Sequence, residues 1–226
     1  MQARPGPGLH KIVVADEDRG LGQFGGGAWL HDAAQWPTDP ATGQPMLPIV
    51  MLTGSFLPTP YLPEEMALTV FASIERPGGG HSRSSLRRLT VNQQGECDKL
   101  ALGHSKVLLH RRAAQEVCVG DGALLLGRHW VGLQPFNDDD MAEELEDDDN
   151  GAGMSKQLGR PCWVHDPIHT SPRYYFLAQF VESQLRRVDP GYAGLFGDGT
   201  GYLFADQRAR KLGDGAAAGH FFIQFT

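Results

Sequence analysis

The apolar positions of the chain fall mostly in short runs that are bounded by glycine and proline. Several runs are rich in β-branched and aromatic residues, and the last one has period two, because Phe221, Ile223 and Phe225 share one face. This pattern is typical of β-strands. It predicts strands at residues 11–15, 47–56, 67–74, 122–134 and 173–182, one that ends at residue 205, and one at residues 220–225.

The stretch from residue 82 to residue 122 is less regular. Its leucines and valines predict several further strands, broken by Gly95 and Gly103. Residues 111–116 fit a helical turn equally well. The apolar residues on which these strands rest are Leu86, Leu89, Val91, Leu100, Leu102, Val107, Leu108 and Leu109.

A four-residue pattern, Trp-x-His-Asp, occurs twice. It stands at residues 29–32 and returns 134 residues later at residues 163–166. An apolar run follows each copy, and residues 67–71 then align with residues 201–205. Three blocks in the same order at a similar offset indicate an internal duplication.

The sequence therefore predicts an α+β, strand-dominated fold in which two similar β-rich halves form a single domain. We assign the domain to residues 1–226, the first half to residues 9–135 and the second to residues 156–226. Residues 136–155 form an acidic link between the halves. A chain of this length buries about 70% of its unfolded surface, so that it needs neither disulfides nor a metal for stability.

Composition narrows the class of protein. Apolar residues make up 41% of the chain, and 29 Gly and 15 Pro favour strands and turns over long helices. The three cysteines, Cys97, Cys118 and Cys162, lack the spacing of a disulfide framework or a zinc site. Neither a signal peptide nor a membrane span is apparent. We expect a cytoplasmic protein without cofactor or metal.

The net charge of −7 has a local origin. Nine of the 27 acids lie between residues 138 and 149, and without them the net charge would be +2. The segment is predicted either as a solvated linker or as a surface for a basic partner, with Met141 and Leu145 at i and i+4 of a short helix. The predicted partner-binding residues are Asp138, Asp139, Asp140, Met141, Glu143, Glu144, Leu145, Glu146, Asp147, Asp148 and Asp149.

Candidate chemistry is sparse. Residues 20–25 match the bare G-x-G-x-x-G spacing, but no helix is predicted to follow, which favours glycine turns over a nucleotide site. Neighbouring residues of a strand point to opposite faces, so a His-Asp pair does not make a catalytic site by itself. Basic residues are scattered without interleaved aromatic residues, which argues against nucleic-acid binding. The alternative to a protein-binding surface is an enzymatic or small-ligand pocket between the halves, formed by Trp29, His31, Trp163, His165 and Gln179.

The chain resembles the YwqG-like family, a bacterial domain of unknown function. In the first half the similarity lies in residues 26–29, Trp36-Pro37 and residues 48–52, and in the second half in residues 157–161, Trp163, Asp166-Pro167, and residues 176–180 and 197–204. Two positions depart from the family pattern: Thr53 replaces a glutamine and Arg160 a glycine.

The resemblance supplies no catalytic residues. It implies the fold and, through members with that role, an immunity protein that neutralises an antibacterial toxin. The acidic segment then suggests a toxin with a basic surface, such as a nucleic-acid-targeting effector of type VI secretion. We therefore expect a non-enzymatic protein whose partner is another protein and neither nucleic acid nor membrane.

Overall fold

Two strands, β1 (His10–Ala15) and β6 (His129–Pro135), form the centre of an antiparallel sheet, with His10 opposite Pro135 and Ala15 opposite Trp130. The computed structural model describes residues 8–57, 62–75, 83–146 and 151–225. These residues form ten strands and three α-helices. The strands are β1 (His10–Ala15), β2 (Gly22–Phe24), β3 (Leu47–Thr53), β4 (Met66–Ala72), β5 (Ser105–Arg111), β6 (His129–Pro135), β7 (Lys156–Gln157), β8 (Tyr174–Val181), β9 (Thr200–Asp206) and β10 (Gly219–Gln224). The helices are α1 (Arg83–Leu89), α2 (Asp138–Leu145) and α3 (Glu182–Val188).

The sheet is nearly closed into a barrel. Its strand order is β10-β9-β8-β7-β1-β6-β2-β3-β4-β5. The residues just before β10 then meet β5, because Leu109 N donates to Ala216 O and Ala218 N donates to Val107 O, both at 2.8 Å. This closure leaves few unpaired backbone groups at the two outer strands. The predicted strand-dominated fold is confirmed.

The strands with continuous apolar runs are buried on both faces. In β4, Leu68 and Val70 belong to the main core inside the sheet, whereas Phe71 belongs to a second apolar cluster on the opposite face. Strand β10 behaves in the same way, since Phe221 and Ile223 point to the main core and Phe222 to a third cluster. The predicted period of two at the C-terminus is thus confirmed, with both faces covered.

The strand prediction for residues 82–122 is largely wrong. Arg83–Leu89 is helix α1, and Gln94–Leu102 is a 3-10 helix, so that β5 is the only strand among the described residues of this stretch. Leu86 and Leu89 are spaced i and i+3, which places both on the buried side of α1. The predicted strand 173–182 also ends one residue earlier than expected, because α3 begins at Glu182.

The glycine-rich stretch forms tight turns, as predicted. Gly22 has φ of 140°, and a Cβ atom there would lie 2.0 Å from the carbonyl oxygen of Met51 in the neighbouring strand. Glycine is therefore required by close backbone approach. The stretch continues as strand β2 and does not open a helix, so the arrangement that holds a pyrophosphate is not formed.

Candidate functional site

Most of the acidic segment is an ordered helix. Asn137 begins α2 with a capping box: its side-chain oxygen accepts a hydrogen bond from Asp140 N at 2.8 Å, and the Asp140 carboxylate accepts one from Asn137 N at 2.9 Å. Three acids in the first turn interact favourably with the helix dipole. The predicted short helix is confirmed at Asp138–Leu145.

One side of α2 is fixed to the sheet through charges. Asp140 forms an ion pair with Lys11 of β1 at 2.7 Å. Burial opposes ionisation of this carboxyl, but the hydrogen bonds from Lys11 and from the Asn137 backbone outweigh it and lower the pKa of Asp140. The first turn of α2 is therefore held against β1.

A second contact of this kind is more deeply buried. Glu144 pairs with Lys156 of β7, and their side chains are only 4% and 0% exposed. The same carboxylate accepts a hydrogen bond from Arg160 N at 2.7 Å. Asp140 and Glu144 thus belong to the internal attachment of the helix, which corrects their prediction as partner-binding residues. Their burial follows from the i, i+4 spacing that places both on one helix face.

The opposite side of α2 faces solvent. Leu145 is 72% exposed and Met141 38% exposed, although both are apolar. Among the acids, Asp138, Asp139 and Glu146 are exposed. Glu143 is partly exposed, and the predicted residues Asp147, Asp148 and Asp149 lie outside the described residues. The outer face therefore combines negative charge with two exposed apolar side chains.

The five residues of the alternative pocket lie in different environments. Trp29 is partly buried, donates from Nε1 to Gln23 Oε1 at 2.7 Å, and lies under the guanidinium group of Arg112. Trp163 is also partly buried, but it packs against Tyr202 and Phe222 of the third apolar cluster. The two tryptophans of the repeat therefore contact different parts of the sheet.

The polar members of that set are engaged separately. His31 and His165 are exposed, and a ring nitrogen of His165 lies 2.9 Å from Phe225 O. Gln179 is fully buried, accepts a hydrogen bond from Cys162 N, and donates to Gly151 O and Met154 O. Its amide thus fastens two loops. Within the described ranges, no hydrogen bond, ion pair or ring contact links any two of the five.

A cavity that the sequence did not indicate lies elsewhere, beside β3 and β4. Its volume is about 610 Å³. The loop before β3, the end of β4 and the loop before β6 form its walls. Its polar lining comes from Asp39, Thr42, Gln44, Ser73, Glu75 and Asp121.

Asp39 organises the loop at one end of this cavity. Its carboxylate accepts hydrogen bonds from Ala41 N at 3.1 Å and Thr42 Oγ1 at 3.0 Å, lies 3.0 Å from His104 Nδ1, and is 3.4 Å from the guanidinium of Arg88. Burial raises the pKa of this group, but the hydrogen bonds from Ala41, His104, Thr42 and Ser73 together lower it by more, so the pKa of Asp39 is below its usual range. Asp39 is therefore an ionised carboxylate in a largely enclosed position.

No sequence pattern pointed to this arrangement. Asp39, Ser73 and His104 are separated by tens of residues, and each stands alone in its stretch. Asp39 lies within a proline-rich loop, and such a composition predicts a turn but gives no indication of a binding site. Only the pairing of β3 with β4 and of β4 with β5 brings the three residues together.

Two classes of function receive no support from the geometry. In the part of the chain that the structure describes, no group of three or more His, Cys, Asp or Glu side chains is arranged to hold a metal ion. Across the same ranges, each helix is too short or too polar to cross a lipid bilayer.

Comparison with known proteins gives no family assignment. The chain matches no model of a known protein family. A comparison with curated protein sequences likewise gives no match. The surface of α2 and the cavity are therefore the features of the molecule that bear on its function.

Proposed function

We propose that the chain is a cytoplasmic, non-enzymatic immunity protein that neutralises a cognate antibacterial toxin, and that the outer face of α2 forms part of the contact. The proposal combines the resemblance to the YwqG-like family, which itself stays a prediction, with the geometry of α2. The partner is expected to carry a basic surface, as toxins that act on nucleic acids do.

The observation that carries the proposal is the fixed attachment of an acidic helix. A flexible acidic tail loses conformational freedom when it binds, whereas α2 is already ordered by its capping box and by the contacts of Asp140 and Glu144. Pre-organised negative charge increases the rate of encounter with a positive surface. The geometry thus favours rapid and oriented docking of a basic protein.

The exposed apolar side chains of α2, Met141 and Leu145, also favour a protein contact at this face. Full burial of a leucine or methionine side chain contributes roughly 1.5–3 kcal/mol. Leu145, at 72% exposure, has most of that contribution available for a partner. Apolar anchors surrounded by polar groups are typical of the centre of a protein interface.

Binding kinetics test the proposal. The partner is first isolated with the tagged chain from the bacterium that encodes it, and association is then measured at two salt concentrations. Replacing Asp138, Asp139 and Glu146 by Asn or Gln should slow association and weaken its dependence on salt. Replacing Met141 and Leu145 by Ala should mainly speed dissociation.

A matched control is available outside the helix. Asp16 and Glu17 are exposed acids between β1 and β2, and their replacement by Asn and Gln removes two charges without touching α2. This variant should associate at nearly the wild-type rate, with only the small decrease that the lower net negative charge of the whole protein causes. Wild-type rates for both α2 variants would reject α2 as the contact surface.

We also propose that the fold arose by internal duplication. From the centre of the sheet outwards, the order β1-β7-β8-β9-β10 on one side mirrors β6-β2-β3-β4-β5 on the other. The residues that correspond in the tryptophan repeat occupy corresponding strands. Strand pairing leads from Gln23 through β3 to Thr69, and from Gln157 through β8 to Leu203. Both starting points and both end points are 134 residues apart, which supports a common ancestor for the halves.

On this proposal, the first strand of each half completes the sheet of the other. Strand β1 lies beside β7 and strand β6 beside β2. The boundary between the halves then falls between β5 and β6, earlier than the residue 135 expected from sequence. The halves are interlocked, which explains why they make one domain. Separate expression of residues 1–118 and 119–226 should give two unfolded fragments that recover a folded protein on mixing, and an independently folded fragment would contradict the interlocking.

A further inference from the structure

Strand β1 is paired along its whole length on one side but only in part on the other. Strand β6 pairs with every residue of β1, whereas β7 pairs with the first two. One further hydrogen bond, from Ile12 N to Ser155 O at 2.8 Å, extends the contact with the β7 side. The chain before Ser155 then turns away from β1, with Met154 N donating to Gly151 O at 3.0 Å. The sheet is therefore open beside the last residues of β1.

The backbone groups of Val14 point into this gap. Successive residues of a strand direct their N–H and C=O groups alternately to its two sides. Phe136 N donates to Leu9 O at 3.1 Å, so the odd-numbered residues along β1 face β6. The bond from Ile12 N agrees with this, because it runs to the opposite side. Val14 N and O therefore face the gap, and among the described residues neither atom has a hydrogen-bond partner.

Val14 also lines a second, smaller cavity between β1 and α3. Its volume is about 270 Å³, and its apolar wall is formed by Ile12, Val14, Phe24, Leu185 and Val188. This volume lies below the range of roughly 300–1,000 Å³ that is typical of small-molecule pockets. Residues directly opposite each other in a sheet project their side chains from the same face. A chain paired with Val14 would therefore direct one side chain to the face on which the side chain of Val14 lies, and the cavity suits a single apolar side chain.

The charged residues that line this cavity are both cations, Lys11 and Arg187. Lys11 is paired with Asp140 of α2. Arg187 is exposed in the last turn of α3 and has no ion pair in the ranges that the structure describes. Asp189, the acid closest to it in sequence, contacts His129 Nε2 at 3.0 Å. The charge at the opening therefore favours an occupant with a carboxylate beside its apolar residue.

We propose that the gap beside β1 binds an extended peptide segment of a partner protein, in which acidic residues flank an apolar one. The apolar residue pairs with Val14, accepting a hydrogen bond from Val14 N and donating one to Val14 O, as peptides do when they add a strand to a sheet edge. Its side chain fills the cavity, and the acidic neighbours interact with Arg187. This site is separate from the outer face of α2 and does not rest on the proposed toxin contact.

Synthetic pentapeptides test the backbone, the apolar side chain and the charge separately. The reference peptide is acetyl-Glu-Val-Leu-Val-Glu-amide, and we expect a dissociation constant on the order of 1 mM, because a short flexible peptide loses conformational freedom on binding. N-methylation of its central leucine removes the N–H group that donates to Val14 O and should weaken binding about tenfold. Replacement of this leucine by alanine should also weaken binding about tenfold, and exchange of both glutamates for lysine about fivefold. In NMR titrations, the amide shift of Val14 and the methyl shifts of Leu185 and Val188 locate the bound peptide.

Variants of α3 test the assignment of residues. Arg187→Gln should weaken binding of the reference peptide about threefold and reduce the preference for glutamate over lysine in the peptide. Arg186→Gln is the matched control, because Arg186 lies on the same helix, pairs with Asp198 and does not line the cavity. This control should bind as the wild type does. Val188→Trp, at an exposed position of the rim, fills the cavity and should abolish binding, with circular dichroism as the check that the variant is folded.

Three results would overturn the proposal. Equal affinities for the reference peptide and its N-methylated form would exclude strand addition. Absence of binding, or shifts confined to other parts of the sheet, would remove the site itself. A Val14 amide shift that depends on protein concentration without any peptide would show that a second copy of the chain occupies the gap. Because these measurements need no toxin, their failure is distinguishable from a failure of the immunity function.

Discussion

The buried ion pair between Glu144 and Lys156 should be among the strongest single determinants of stability that involve α2. In Glu144→Gln, the ammonium group of Lys156 keeps its fully buried position and loses its ion pair with the Glu144 carboxylate. Removing one partner of a buried pair costs about 3–5 kcal/mol, because the remaining charge stays buried with less compensation. The hydrogen bond from Arg160 N to the side-chain oxygen can survive in the amide, which isolates the effect of charge.

A double-mutant cycle measures the coupling directly. Lys156→Met removes the ammonium group and retains most of the apolar volume. The variant with both substitutions should be less destabilised than the sum of the single variants by about 2 kcal/mol or more, since both charges of the pair are then absent. A smaller destabilisation of the double variant than of Glu144→Gln alone would be the clearest form of this result.

Urea unfolding followed by circular dichroism provides the free energies. At this chain length, the loss in Glu144→Gln corresponds to a decrease in Tm of about 6–20 °C. Glu146→Gln is the matched control, because Glu146 is an exposed acid at the end of the same helix and should change stability by less than about 0.5 kcal/mol. Equal effects of Glu144→Gln and Glu146→Gln would refute the argument that Glu144 anchors α2.

Three further predictions concern other parts of the fold. Burial lowers the pKa of His110 and of His220, so the unfolded chain binds more protons than the folded chain, and the free energy of unfolding should fall as pH decreases below about 6.5. The fall should be less steep in His110→Gln. Urea unfolding at several pH values measures it, and the same pH dependence in the wild type and in His110→Gln would contradict the prediction. Cys118 is exposed and Cys162 buried, so a maleimide should label Cys118 first in the native protein, and mass spectrometry of digests shows the order. Labelling of Cys118 should be faster at high pH, because partial desolvation and the charge of Glu116 raise the pKa of its thiol. Glu182 accepts hydrogen bonds from three backbone N–H groups of residues 194–198. Glu182→Ala should therefore lower the free energy of unfolding by about 3 kcal/mol or more. A loss below about 1 kcal/mol would indicate that water replaces the carboxylate.

The strands could be predicted where one local pattern decided them. The apolar runs that became β1, β3, β4, β8 and β10 were bounded by turn-forming residues and rich in β-branched or aromatic side chains. The period of two at the C-terminus correctly placed Phe221 and Ile223 on one face of β10. In the stretch from residue 83 to residue 102 the leucines fit a strand or a helix, and the structure has helix α1 and a 3-10 helix there. A short apolar run does not distinguish these alternatives without its neighbours.

For the acidic segment, the sequence by itself determined the charge, the helix-forming composition and the i, i+4 spacing of Met141 and Leu145. It did not determine which acids face outwards, because the buried positions of Asp140 and Glu144 depend on lysines of two distant strands, Lys11 and Lys156. Such pairing is a property of the assembled sheet. The local pattern therefore predicted the helix but assigned two of its anchoring residues to the partner-binding surface.

The cavity was decided by tertiary structure alone. Asp39, Ser73 and Asp121 come from three loops without a shared motif, and antiparallel pairing of distant strands places those loops around one space. Local sequence patterns report on backbone conformation and on one-sided burial, which depend on near neighbours in the chain. A cavity depends on how loops of different strands fit together. The residues that line the cavity are distributed over distant parts of the chain, and only the closed sheet brings them together.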